Sequence, residues 1–409
     1  MSSTRKSDNS SVAWRQRVYP IAIIATIVLS VVLGALRAAD SAAPGDAIGG
    51  DYPAFYGAGL IAADGDLEQL HNPARQAEAQ AGLHPAEEGE VSVFFPYPPQ
   101  IAVVYQPLAS MDYHWSYLAH TFLMGTALWA AIWLVQPMIP WIRGRVLLAA
   151  TAAILFWPMF RTITGGSNTA LTLLLLTAGW RLIHEDRQLL AGLVLAGLFF
   201  KPQFAIPFLG LLLLARYWGV IAGATIGGIA FYLWGVALLG WNWAVEWATM
   251  ARDFGALEAE INGHSSISFI GFTQNIFGVG VKPIVVAAWA CAIGLAFLLS
   301  WLWWKSDSDH LTALVAITIP GVLLLAPHVM THDGSLIVLT SAILVASRPS
   351  TWWIKWVAAI WLLGASQLFI RQLGFSPGFP MLLIVLASAW ALLAKPDQAT
   401  LAGHKLVEA

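Results

Sequence analysis

Apolar segments of about 13 to 23 residues recur from residue 18 to residue 394, and the turns between most of them are short and polar. A helix needs about 20 apolar residues to cross a bilayer. In lipid each backbone amide must be satisfied within its own segment, so runs of this kind are read as helices. The candidate spans are 18–38, 114–136, 146–163, 168–183, 188–200, 203–215, 219–240, 283–304, 310–326, 334–347, 353–370 and 379–394. Those at 188–200 and 203–215 are short, and read either as longer helices with clipped ends or as a hairpin. The run at 99–110 reads as a re-entrant or interfacial piece. Composition agrees: 58% of residues are hydrophobic and 11% charged, against roughly 25% charged in soluble domains. The expected fold class is an all-α polytopic membrane protein with about 12 transmembrane helices.

Several classes are excluded early. A net charge of −2 gives no basis for nucleic-acid binding. The single cysteine, Cys291, rules out a disulfide within the chain and any cysteine-based metal centre. Arg5, Lys6, Arg15 and Arg17 precede the first apolar run as they would in a signal peptide. The run is longer than the ~7–15 residues of a signal core, so it is read as a retained helix.

Alternating the spans from an inner N-terminus places the basic residues about two to one on the inner side, as the positive-inside rule requires. Residues 1–17 and 395–409 are then cytoplasmic tails around one membrane domain, 18–394. Two outer loops are long, 39–113 and 241–282. The first is too large for a plain connector. It contains a helical pattern at 53–63, an amphipathic stretch GDLEQLHNPARQAEAQAGL, and FFPYPPQ, whose prolines fix an extended chain. Aromatic residues suit the membrane interface, so this loop reads as a wall of interfacial helices on the outer face. No internal repeat is visible.

Ionisable groups at outer helix ends are costly and mark substrate paths. This topology gathers Asp51, Arg161, Lys201, His264, His332, Asp333 and Arg371 there. Each has a plain reading beside a functional one. Asp51 is either the N-cap of the helix beginning near Pro53 or a general base acting on an acceptor hydroxyl. Lys201 either snorkels to the headgroups or meets a lipid phosphate. Asp333 caps the next span or orients His332, which would donate to a phosphate. His328, four residues before His332, would share its face if the segment is helical. Arg371 reads as an interface anchor or a phosphate contact. The GGSN turn at 165–168 reads as a plain loop or the start of a helix near a polar ligand. Tyr52, Phe55 and Tyr56 would pack the short helix and stack on a sugar ring. There is no Walker loop, GxSxG or HExxH. Chemistry at the outer leaflet would not use a cytoplasmic nucleotide sugar directly, whereas a lipid-carried donor would fit.

In order and spacing, D-Y-x-x-F-Y at 51, HNPARQ, FPYPPQIAVVYQPLA, GGSNTALTLLLL, AGLVLAGLFFKPQFAIPFL and HVMTHDGSLIVL resemble glycosyltransferase family 87, whose members have the GT-C fold and use polyprenyl-phosphate sugars. The resemblance covers residues 49 to 345. The glycine-rich turn of the family usually has Gln where Ser167 stands. The resemblance implies an inverting transfer from a polyprenyl-phosphate-linked sugar, mannose first among the candidates, to a hydroxyl of an envelope glycolipid or glycan, on the outer face of a bacterial plasma membrane. Asp51 would be the base; Lys201, His332 and Arg371 would hold the donor phosphate; Tyr52, Tyr56, Tyr97, Asn168, Gln203 and Asp333 would contact substrate. No metal or other cofactor is implied. Alternatives are another polyprenyl-phosphate sugar such as arabinofuranose or glucose, a lipid-linked sugar transporter or flippase, and an inactive scaffold. A transporter would be expected to show structural repeats meeting at the midplane.

Overall fold

The computed structural model describes residues 50–83, 93–280, 282–306, 310–347, 351–367 and 370–393. The expected first span at 18–38, both tails, His84 and the acids at 87, 88 and 90 lie outside the described residues, as does the side chain of Arg371. Among the described residues all regular structure is helical, and Ser266 and Met330 form an isolated antiparallel bridge.

The first outer loop forms a small layer of its own. Helix α1 (Tyr52–Ala63) starts with Pro53 in its first turn, where a missing amide hydrogen costs nothing. Helix α2 (Pro73–Ala79) is capped by Asn72, whose Oδ1 accepts from the amide of Ala74 at 3.0 Å. An extended stretch at 93–97 leads into α3 (Pro99–Ala109). Two glutamines, one on α2 and one at its C-cap, fasten that stretch: Gln76 Oε1 accepts from the Phe95 amide (2.7 Å), and Gln80 binds both backbone groups of Val93 (2.8 and 3.1 Å). Helices α1 and α3 touch at Gly59, where a Cβ would stand 2.8 Å from the Tyr105 carbonyl. Tyr52, Phe55, Ile61, Leu70, Phe95 and Tyr105 close this layer's core.

The next helices are α4 (Tyr113–Leu134), α5 (Val146–Leu155) and α6 (Trp157–Thr164). The expected straight span at 146–163 is broken: α5 and α6 meet at 84°. Pro158 lies in the first turn of α6, and Phe156 between the helices is extended at ψ 114°, the non-helical backbone of an N-cap residue. Then come α7 (Thr169–His184), α8 (Gln188–Ala196), α9 (Pro202–Leu214) and α10 (Trp218–Leu239). The backbones of α8 and α10 cross so closely that a Cβ on Gly192 would lie 2.8 Å from the Cα of Gly223.

The second outer loop carries α11 (Trp243–Ile261) and α12 (Phe269–Phe277). The remaining helices are α13 (Pro283–Lys305), α14 (Leu311–Leu325), α15 (Ile337–Ser347), α16 (Thr351–Ser366), α17 (Ile370–Leu373) and α18 (Gly378–Leu393). Among the described residues α4, α10 and α13 are long and apolar enough to cross a bilayer, and the bent α5–α6 pair makes a fourth if taken as one span. Helices α7, α8 with its 3-10 extension, α9, α14, α15 with its preceding 3-10 turn, part of α16, and α18 are apolar but shorter. Their buried sides form one large core, whereas Phe122 and Phe297 stand 73% exposed on α4 and α13. Large apolar side chains turned outward on membrane-length helices are lipid-facing surface.

Candidate functional site

Two glycine turns set the site. Gly50 has φ +56°, a conformation that side chains rarely adopt. It lies on the turn that follows α6: the Asp51 amide donates to the Gly165 carbonyl at 2.8 Å, and a Cβ on Gly50 would stand 2.9 Å from that same oxygen. Asp51 occupies the N-cap position of α1, but its backbone is αR (φ −80°, ψ −11°) and its side chain makes no capping bond. A capping side chain needs the extended N-cap geometry to reach back to the second or third amide. The carboxylate of Asp51 instead points outward, 47% exposed.

His332 stands between two carboxylates. Its Nδ1 is 3.7 Å from Asp51 Oδ2 and its Nε2 is 3.7 Å from Asp333 Oδ2. Its own carbonyl accepts from the Thr162 hydroxyl on α6 at 2.8 Å, which ties the start of the 3-10 turn Asp333–Leu336 to the base of the glycine turn.

Behind His332 lies a buried polar knot. Asp333 Oδ1 accepts from Lys201 Nζ (3.0 Å) and Thr169 Oγ1 (2.9 Å), and its Oδ2 accepts from the Met330 amide (3.2 Å). Lys201 Nζ also donates to Thr169 Oγ1 at 3.1 Å, and Ser167 Oγ stands 3.0 Å from that hydroxyl. This arrangement corrects two expectations. Lys201 is 3% exposed, so it neither snorkels nor offers a free ammonium to a phosphate, because its charge is spent on Asp333. Asp333 is 4% exposed with both oxygens engaged by the protein, so it holds the site together and does not reach substrate.

Tyr97 and Asn168 come together at the rim of the knot, the phenol donating to Asn168 Oδ1 at 3.4 Å. Burial pushes the Tyr97 phenol well above its usual 10, and the charges of Asp333 and Asp51 push the same way. His71 Nε2 meets the Tyr97 carbonyl at 2.9 Å and holds the backbone. The aromatic expectation for Tyr52 is corrected. Tyr52 is fully buried, with its hydroxyl 2.5 Å from Ser116 Oγ and its ring among Tyr105, Tyr113, Tyr117 and His120, so it cannot stack on a sugar. Tyr56 donates to the Met111 carbonyl at 2.9 Å and packs on Tyr113, on the side of α1 that serves the Asp112 turn. Gln203 is half-buried in the first turn of α9, and Arg371 lies on the backbone of α17. His264 sits in the 3-10 turn Gly263–Ser265. Residues 326–332 are not helical, so His328 and His332 do not share a helix face; the His328 ring meets Phe254 instead (6.0 Å, 67°).

The second outer loop packs against this region, through a helix that the sequence reading missed. The Ile267 amide donates to the Val329 carbonyl at 3.0 Å beside the Ser266–Met330 bridge. On α11, Trp247 Nε1 donates to the Pro96 carbonyl (2.9 Å) and the Phe254 ring stacks on Phe94 (4.9 Å, 21°). Trp247, Phe254 and Glu258 follow at seven- and four-residue steps, which places them on one face. That spacing was the available signal.

Helices of membrane length, together with the cluster of Asp51, His332, Lys201 and Asp333, define a membrane protein with a polar site. The model of Glycosyltransferase family 87 matches residues 94–327, more than half of the chain, and the chain belongs to that family. It is therefore a membrane glycosyltransferase. Comparison with curated proteins and with solved structures gave no match. The matched stretch includes Tyr97, Asn168, Lys201, Gln203 and Glu258; it begins after Asp51 and ends before His332.

Proposed function

We propose that this glycosyltransferase moves a sugar, mannose first among the candidates, from a polyprenyl-phosphate donor to a hydroxyl of an envelope glycolipid or glycan at the outer face of the plasma membrane. About twelve spans with both termini inside, and a GT-C arrangement, complete this reading. The observation that carries it is the Asp51 carboxylate, held by the glycine turn yet free of any capping bond and half exposed.

In the transfer, the acceptor oxygen attacks C1 of the donor sugar and gives its proton to Asp51. The bond from C1 to the phosphate oxygen breaks, and the polyprenyl phosphate leaves with the electron pair. Attack from the face opposite the phosphate inverts C1, so a β-linked donor gives an α-linked product. His332 lies next to Asp51 and is the group placed to meet the phosphate. Lys201 serves through Asp333, by fixing the loop that carries His332. Tyr97 and Asn168 line the sugar pocket, and Gln203 and Arg371 are further candidates for substrate contact. A positioned base contributes roughly 10²–10⁴-fold.

The test is transfer of label from polyprenyl-phosphate-mannose into a membrane glycolipid extract by the purified protein in detergent. Wild type should incorporate label and Asp51→Asn should not, at equal folded yield. An active Asn variant removes Asp51 from the role of base. Transfer from a different polyprenyl-phosphate sugar alone would replace mannose and keep the rest, and failure with the whole donor panel would return the transporter reading.

A further inference from the structure

Glu258 is a carboxylate that the proposed chemistry leaves without a task. It lies on α11, one turn beyond Phe254, whose ring is wedged between Phe94 and His328. Trp247, on the same face, is bonded to the backbone beside Tyr97. The helix is thus anchored at two points over the site, and its next residue on that face is Glu258. One carboxylate oxygen, Oε1, accepts from Asn262 Nδ2 at 2.9 Å, which holds the side chain along the helix. The group feels both Asp51 and His332: burial raises its proton affinity first, Asn262 lowers it, Asp51 raises it and His332 lowers it.

We infer that Glu258 is the acceptor-binding residue of this site, gripping hydroxyl groups of the incoming polyol next to the one that Asp51 deprotonates. This rests on the reading of Asp51 as base. The acceptor brings neutral hydroxyls, which donate well to a carboxylate; such charge-assisted bonds are about twice as strong as neutral ones. A carboxylate is also selective, because an acceptor lacking the matching hydroxyl would leave a partly buried charge unpaired.

The inference is tested on the full-length protein in detergent, with labelled polyprenyl-phosphate-mannose as donor and a titrated membrane glycolipid extract as acceptor. Wild type, Asp51→Asn, Glu258→Gln and Glu258→Ala are compared, with thermal midpoints as a check on folding. Glu258→Gln should raise the half-saturating amount of acceptor at least tenfold and leave that of the donor within twofold, and Glu258→Ala should do the same or more. If Asp51→Asn is inactive and both Glu258 variants saturate with acceptor like wild type, the inference fails alone. A change confined to the donor, or an equal fall in every parameter with a lowered midpoint, also overturns it. If Asp51→Asn stays active, or wild type transfers from no polyprenyl-phosphate sugar, the underlying reading fails first.

Discussion

Lys201 and Asp333, 132 residues apart, meet at 3.0 Å with both side chains almost fully buried. The hydroxyl of Thr169 bonds to both charges, and the Met330 amide donates to Asp333. The pair joins the start of α9 to the turn before α15, and so holds the loop that presents His332.

Removing one partner leaves an unpaired buried charge, which typically costs about 3–5 kcal/mol. Lys201→Met should therefore lower the thermal midpoint sharply and abolish transfer through loss of the loop. The double variant Lys201→Met with Asp333→Leu removes both charges and should regain most of the stability without regaining activity. Scanning fluorimetry in detergent measures both. A single variant with a wild-type midpoint would show that the pair does not hold the loop.

His332 makes the opposite case. Its side chain is 23% exposed and its contacts to Asp51 and Asp333 are 3.7 Å long. Partly exposed pairs of this kind contribute ~0–1 kcal/mol, so His332→Gln should leave the midpoint nearly unchanged. Losing a donor aimed at a leaving phosphate typically costs about 10²–10³-fold in rate. The expected result is a kcat lowered by about 10²-fold in a normally folded protein. Equal losses of stability and rate would place His332 with the scaffold.

Much of the helical frame was legible from the sequence. The expected spans 114–136, 219–240 and 283–304 fall within two residues of α4, α10 and α13, because long uninterrupted apolar runs admit one structure in lipid. The bend at Phe156 was hidden, because Pro158 reads equally as a tolerated proline within a span and as the opening of a new helix. Helix α11 is not legible as a span because Glu246, Arg252, Asp253, Glu258 and Glu260 interrupt its apolar residues, and Glu258 is hidden with it. The partnership of Lys201 with Asp333 is a tertiary contact that no local pattern encodes, so Lys201 read as a free cation. Tyr52 and Tyr56 looked alike beside Asp51, yet the short helix turns Tyr52 fully into the core.

Gly50 offers a test of placement without touching a charged group. Its φ of +56° disfavours any side chain, and the Gly165 carbonyl is 2.9 Å from the position of a Cβ. Gly50→Ala should cost about 1–3 kcal/mol in strain unless the turn shifts, and a shift displaces Asp51, whose amide is bonded to that carbonyl. A displacement near 1 Å costs about 10²-fold in rate. Transfer should fall by about that factor with unchanged half-saturation for donor. Full activity in Gly50→Ala would mean that the turn does not fix the carboxylate.

His71 gives the pH dependence of stability. Burial lowers its pKa below the ordinary 6.5, and the Tyr97 carbonyl opposes this only partly. The folded protein therefore favours the neutral ring, which donates from Nε2 to that carbonyl. The unfolded chain takes up the proton first as pH falls. The contribution of His71 is therefore complete above pH 6.5 and is lost as pH drops through the lowered folded value. Between pH 7.5 and pH 5 the thermal midpoint of wild type should fall, and His71→Gln should remove part of that fall while starting from a lower midpoint at pH 7.5. His328 is displaced in the same direction, also by burial first, so some pH dependence will persist in the variant. A fall in His71→Gln as steep as in wild type would mean that the ring next to Tyr97 is not held neutral by the fold.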